Sequence, residues 1–154
     1  MPKKNSDRKV ITEVDFSQTN KEGCIREMLA AIKLMKEGYN VSKTMFDNRY
    51  DLIAEKYPKY IRIQVKNLKL TYKSDPTQPL SINKWEIHAY TNIKGNKKIY
   101  TKDEIDVVFA IDIETENFAI IPVEKIPKTG VVRISEQSDR KEYFNSFKAL
   151  DDLK

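Results

Sequence analysis

The chain has one cysteine, Cys24, and one histidine, His88, among its 154 residues. A single cysteine cannot close an internal disulfide, and one Cys with one His cannot assemble a Cys/His zinc site within one chain, so neither staple is expected. No apolar run approaches the roughly 20 residues that a membrane-spanning helix needs. The opening segment, Met1-Pro-Lys-Lys-Asn-Ser-Asp-Arg-Lys, lacks the apolar stretch of a signal peptide. A soluble cytoplasmic protein without a membrane partner is the expectation. No internal repeat or low-complexity tract interrupts the sequence.

With 40% hydrophobic and 33% charged residues, the chain carries enough apolar material for a core and too much for a disordered chain. Its length suits one domain. Twenty-eight Lys and Arg against 23 Asp and Glu leave a formal charge of +5 and an isoelectric point near 9.1. Such an excess favours polyanions through long-range attraction and counterion release, but charge alone does not distinguish a nucleic-acid binder from other basic proteins.

Residues 1–16 are polar and basic without a clear period and read as a flexible arm. Thr19-Asn20-Lys21-Glu22 has the spacing of a capping box, which predicts a helix start. Ile25, Met28, Leu29, Ile32 and Met35 then recur at helical intervals and are expected to face the core, and Gly38 is a natural stop. Strands are predicted after it, one from Tyr39 and one from Tyr50, with Asp47-Asn48 as the turn between them. In residues 60–72, Ile61, Ile63 and Val65 alternate with Arg62, Gln64 and Lys66, whereas Leu68, Leu70 and Tyr72 have changed parity. Strand side chains repeat every two residues, so a bulge or bend is required near Lys66-Asn67. Residues 74–83 read as a loop, residues 85–90 as a strand, and Lys94-Gly95 as a turn. Two apolar runs, 107–113 and 118–123, read as a hairpin buried on both faces. Residues 131–134 add a short strand. Tyr143, Phe144, Phe147 and Leu150 predict a closing amphipathic helix capped by Asp139. The outcome is an α+β or α/β domain with a mixed sheet.

Chemistry is sought first where polar groups share a face. Gln64 and Lys66 are two residues apart on one strand and point the same way. If the strand before them is its neighbour, Asp51 sits beside them at the sheet's end. A carboxylate, an amide oxygen and a backbone carbonyl such as that of Val65 are hard ligands suited to Mg²⁺, and Lys66 supplies a cation to orient a water. That is equipment for metal-assisted phosphodiester hydrolysis. The same spacing also occurs on ordinary solvated strand faces. Glu27 lies on the helix beside Ala30, Ala31 and Leu34, off the charged flank, where a half-buried acid wants a metal or a cation; pairing with Lys33 or Arg26 is the alternative.

Elsewhere the readings are structural. Cys24 is expected to be a small packing residue, His88 a sheet-surface or DNA-facing side chain, Asp106 a structural or supporting residue, and Tyr143, Phe144 and Phe147 core. Lys94, Lys97 and Lys98 in the turn, with Lys69 and Lys73 on the re-aimed strand, are candidates for phosphate contact.

Six segments fall in the order of one family: Ile25-Arg-Glu27, Glu37-Gly-Tyr-Asn-Val41, Asp47-Asn-Arg-Tyr-Asp-Leu-Ile53, Ile61-Arg-Ile-Gln-Val-Lys66, Tyr100-Thr-Lys-Asp-Glu-Ile-Asp106 and Phe118-Ala-Ile-Ile-Pro-Val-Glu124. The chain resembles the group I intron-associated homing endonucleases of the PD-(D/E)xK nuclease superfamily from about Thr19 to Lys148. The resemblance implies an α/β, restriction-endonuclease-like mixed β-sheet flanked by helices, with residues 17–154 as a single nuclease domain. It implies a Mg²⁺-dependent, site-specific double-strand DNA endonuclease, often a homodimer or homotetramer, associated with the nucleoid when bound to DNA. By matching positions, Asp51 is the central metal ligand, Gln64 fills the acidic motif position, Lys66 is the motif lysine and Glu27 the helix-borne acid. Arg26 stands where the family usually has Gly, and Gln64 is a neutral ligand, so metal affinity leans on Asp51 and Glu27. A structure-specific nuclease such as a Holliday junction resolvase, and a DNA-binding module without catalysis, stay open as alternatives.

Overall fold

The computed structural model describes residues 13–46 and 49–153, with side chains described from residue 18 onward. Residues 1–12 of the expected arm and the Asp47-Asn48 turn lie outside the described residues. Helix α1 (Glu13–Lys36) is followed by strands β1 (Asn40–Lys43), β2 (Leu52–Lys56) and β3 (Lys59–Asn67). Next come β4 (Lys69–Tyr72), β5 (Lys84–His88) and the hairpin β6 (Tyr90–Ile93) and β7 (Asn96–Ile99). Strands β8 (Val107–Ile111), β9 (Phe118–Pro122) and β10 (Val131–Ser135) precede a short closing helix α2 (Lys148–Asp151). The central sheet has the order β1-β2-β3-β8-β9, antiparallel except for the parallel pair β3 and β8. A second sheet has the order β10-β5-β4. The mixed sheet and the buried β8-β9 hairpin are as predicted, every residue of both strands being buried.

The helix differs from its expectation at both its start and its face. Its described span starts at Glu13, so Thr19 lies inside it and not at its first turn. It ends at Lys36 and is turned off at Gly38, whose φ of +93° is open to glycine at little cost, with the Tyr39 N–H reaching back to the Leu34 carbonyl at 3.1 Å. Ala30 and Leu34 are fully buried against the sheet, whereas Met28, Ile32 and Met35 are 60%, 44% and 52% exposed. The apolar side chains occupy more than one side of α1, and periodicity cannot say which side meets the sheet. The alanine side lets the backbone approach closely. Glu27 is on that side, one turn before Ala30 and Ala31, and so is carried to the sheet as expected.

The parity change after Lys66 is a change of sheet. β3 ends at Asn67, Leu68 is buried at the corner with its N–H on the Ile111 carbonyl at 3.2 Å, and β4 belongs to the second sheet. Leu70 and Tyr72 stay exposed. A parallel pair needs a long crossover, and here residues 68–106 supply it with β4 to β7 instead of a helix.

The closing helix is broken in two. Residues Asp139–Tyr143 form a 3-10 turn, and Asn145 adopts a φ of +50°. Its N–H donates to the Phe118 carbonyl at 2.7 Å and its Oδ1 accepts the Phe118 N–H at 2.9 Å. The edge of β9 has backbone groups to satisfy, and this clamp outweighs continuation of the helix. Tyr143 and Leu150 are buried as expected, and Phe147 packs on Phe118 with ring centroids 5.1 Å apart. Cys24 is exposed, not the packing residue expected.

Replacing Leu34 by Ala should cost about 2–5 kcal/mol in urea unfolding, the range for emptying a fully buried leucine. Met28→Ala should stay within about 0.5 kcal/mol of wild type. The reverse order would put the other side of α1 on the sheet.

Candidate active site

Asp51 stands immediately before β2, opposite Gln64, because the last β2-β3 pair is Leu52 with Ile63 and the Asp51 N–H bonds the Ile63 carbonyl at 2.8 Å. Its side chain turns onto the same strand, where Oδ2 accepts the Val65 N–H at 2.9 Å. The carboxyl is thus fixed by backbone on both sides. Lys66, the next residue, is half-buried and donates through Nζ to the Tyr90 carbonyl at 3.2 Å. Glu27 reaches in from α1 and pairs with Lys43 of β1 at 2.8 Å. Gln64 lies on the same face as Lys66, and its Nε2 donates to the Val65 carbonyl at 3.4 Å.

These groups act on one another electrically. Burial pushes the Asp51 carboxyl up to about 6; the Val65 N–H opposes that, the Glu27 charge adds to it, and Lys66 and Lys43 pull against it. Burial also lowers Lys66, against the pull of Asp51 and with a further push from Arg49. The hydrogen bond from Lys43 to Glu27 raises Lys43. The structure therefore places Glu27, Asp51, Gln64, Val65 and Lys66 near one another.

Sequence reasoning passed over a supporting group. Arg49 Nε donates to Glu104 at 2.5 Å, its Nη1 donates to the Thr91 hydroxyl at 2.6 Å, and its guanidinium lies 4.0 Å from the Tyr100 ring centre. Lys66 Nζ is 5.4 Å from the same ring. Burial pushes the Tyr100 hydroxyl up to about 12, Arg49 opposing and Asp51 and Glu104 assisting. Burial alone would raise Glu104, but hydrogen bonds from Arg49 and Thr101 hold it below the usual carboxylate range. One aromatic ring thus has two cations near it. The available signal was Arg49 and Tyr100 standing inside two of the motif segments.

Gly130 and Tyr90 meet closely behind Lys66. A Cβ on Gly130 would stand 2.8 Å from the Tyr90 ring, at a φ of +76° that disfavours other residues. Asp106 is structural, as read: it accepts the Arg62 N–H at 2.8 Å and the Arg62 guanidinium at 3.2 Å, joining β3 to the start of β8.

The lysines proposed for phosphate contact divide. Lys69 lines a cleft that begins at Lys66. Lys73 and Lys94 are exposed. Lys97 donates to the Thr129 carbonyl at 2.9 Å and lies 4.3 Å over Tyr90, and Lys98 pairs with Glu104 at 3.8 Å. His88 is on the exposed side of β5, bonded to Glu86 at 2.6 Å.

An acid at the start of β2, an amide and a lysine two residues apart on β3, and a helix-borne acid thus lie together at one end of the mixed sheet. Residues 17–153 match the PD-(D/E)XK endonuclease family, and the chain belongs to it. No curated protein matches the chain. A solved structure described as that of a bacterial homing endonuclease, I-Ssp6803I, is similar in fold, with a TM-score of 0.66 and 21% identity over 86% of this chain and 92% of that one. Among the described residues no helix is long and apolar enough to cross a membrane.

Because Asp51 holds its proton more tightly folded than at its ordinary 3.8, its contribution to stability is full below about pH 4 and is lost as pH rises through about 6. Carbon-detected NMR of the metal-free protein should show the Asp51 carboxyl titrating near 6. Glu27→Gln, which deletes a like charge, should lower that midpoint, and Lys66→Met should raise it. A midpoint unmoved by both would mean that the three groups do not share one field.

Proposed function

We propose that this nuclease is a Mg²⁺-dependent, site-specific double-strand DNA endonuclease of the homing type, working as a homodimer or homotetramer. The observation that carries the reading is the convergence on one strand: Asp51 bonded to the Val65 N–H, directly beside the half-buried Lys66, with the Glu27 charge felt by Asp51. The solved bacterial homing endonuclease of similar fold supports the biological role. A two-fold assembly suits a cut through both strands of a near-palindrome.

The donor set fits a hard divalent cation. Asp51 and Glu27 are carboxylates, and Gln64 and the Val65 carbonyl are neutral oxygen donors, with no nitrogen or sulfur ligand required. A carboxyl whose proton affinity is raised by burial and by the neighbouring Glu27 charge belongs to a set that a divalent cation neutralises. No cluster of three His, Cys, Asp or Glu gathers among the described residues, and in this reading the Gln64 amide oxygen serves as the third side-chain donor. When bound, the ion supplies a Lewis acid for a phosphate oxygen and lowers the pKa of a water. Lys66, steadied by the Tyr90 carbonyl and the Tyr100 ring, presents its ammonium to the attacking water or to the charge that develops on the phosphate. Lys69, Lys73 and Lys94 stand in the open to meet backbone phosphates, while Lys97 and Lys98 contribute through partly occupied ammonium groups.

With Mg²⁺ and long linear duplex containing the target, wild type should cut both strands. Asp51→Asn and Lys66→Ala should lose cleavage by roughly 10²–10⁴-fold or more while keeping the fold and most of the DNA affinity. Cutting by either variant at the wild-type rate removes that residue from the mechanism. Preferential cleavage of a four-way junction over duplex would replace the homing reading with a resolvase.

The metal is expected to compete with the Asp51 proton. Added Mg²⁺ or Ca²⁺ should raise the melting temperature more at pH 7.5 than at pH 5, on either side of the Asp51 value of about 6, and not at all in Asp51→Asn. A shift independent of pH and of Asp51 would place the ion elsewhere.

A further inference from the structure

A cleft lined by Val65 and Lys66 adjoins the Asp51 site. It has a volume of about 460 Å³ between α1, the end of β3 and strands β5 and β6, and its walls include Arg26, Lys66, Lys69, His88 and Asn92. Three of these, Arg26, Lys66 and Lys69, are basic side chains. The carboxylate in the same cleft, Glu86, is engaged by His88 at 2.6 Å and by Arg133 at 3.5 Å, so it does not set the sign of the walls.

Arg26 is the group there without a settled role. Its Nη2 makes a loose pair with Glu22 at 3.6 Å, and its Nε is shut from solvent without a hydrogen-bond partner. A buried guanidinium N–H left unmade is costly, and the cost is recovered when the side chain turns to an acceptor. Nothing about helix packing calls for an arginine at this position, since Ala30 and Leu34 make the buried contact.

We propose that Arg26 and Lys69 form a second phosphate subsite, which holds a backbone phosphodiester neighbouring the one cut at Lys66. This inference rests on the nuclease reading above. Lys66 and Lys69 are three residues apart, so at most about 10 Å separates their Cα atoms. A DNA strand presents a phosphate for about every 3.4 Å of helix axis. A strand whose scissile phosphate meets Lys66 therefore carries another phosphate within reach of Lys69, with Arg26 lining the same cleft. Its planar fork pairs two phosphate oxygens at once, which relieves Nε and fixes the strand's register.

The test uses the full-length protein with Asp51→Asn, which prevents cutting, and a fluorescein-labelled mixed-sequence duplex titrated across a range of NaCl. Adding Arg26→Ala should weaken binding about 5–20-fold at 0.1 M salt and reduce the slope of log affinity against log salt by about 0.9, one phosphate contact. Lys69→Ala should do the same, and Arg26→Lys should keep the slope while losing part of the affinity. In the cleaving protein, Arg26→Ala should raise the half-saturating DNA concentration with little change in the rate at saturation. Lys141→Ala, a basic control outside the cleft, should leave slope and affinity unchanged. Parallel melting curves check the fold; if Arg26→Ala does not fold, Arg26→Lys and Lys69→Ala carry the comparison. Binding by Arg26→Ala equal to its parent overturns the subsite and leaves the nuclease standing. A loss matched by Lys141→Ala also overturns it, in favour of diffuse charge. Failure of the wild type to cut DNA, with no salt-dependent binding, overturns the nuclease reading itself.

Discussion

The hydrogen bond from the Val65 N–H to Asp51 Oδ2, 2.9 Å long, is the constraint on which the site depends. The ladder between β2 and β3 ends one residue earlier, and the carboxylate takes over as partner for the exposed strand edge. That substitution holds an acid against the backbone that carries Gln64 and Lys66, whatever its own rotamer preferences. It also draws the carboxyl out of water, where burial and Glu27 make its charge expensive. The same bond thus positions Asp51 and makes it receptive to a cation.

Around this bond the crossover between β3 and β8 serves as scaffolding for the centre. Tyr90 lends Lys66 its carbonyl, Tyr100 lends a ring face to both Lys66 and Arg49, and Glu104 and Thr91 hold the guanidinium. All four stand in residues 68–106, which leave the central sheet at Leu68 and return to it at β8. The corner that re-aims the chain therefore does two things. It frees the end of β3 from a continuing strand, and it folds the crossover back over Lys66. The cleft toward Arg26 and Lys69 opens along the same corner.

Much of the strand order was legible because alternation and apolar runs are local signals. The parity break after Lys66 required a corner, and the β8-β9 runs required burial on both faces; both are present. Helix faces were less legible. Met28, Ile32 and Met35 have the period of a core stripe but face outward, because Ala30 and Leu34 offer a closer seat on the sheet. The closing helix had an acceptable pattern too, yet Asn145 bonds Phe118 across the edge of β9 and stops it. In the site, the shared face of Gln64 and Lys66 followed from strand geometry. Glu27 and Asp51 gained their weight from the resemblance, and Arg49 and Tyr100 went unread because nothing local says that a cation will stack on a ring 51 residues further along the chain.

The sequence by itself determined that this chain folds into a mixed sheet, that Gln64 and Lys66 project together, and that a bend follows them. Those are consequences of backbone period and steric limits acting over a few residues. Only the tertiary structure decided which side of α1 meets the sheet, and therefore that Glu27 arrives beside Asp51. It alone decided that Lys66 meets the Tyr90 carbonyl and the Tyr100 ring and that Arg26 and Lys69 line one cleft. Such juxtapositions depend on packing and on the closure of long loops, whose free energies are shared across the whole core and leave no mark at any single position.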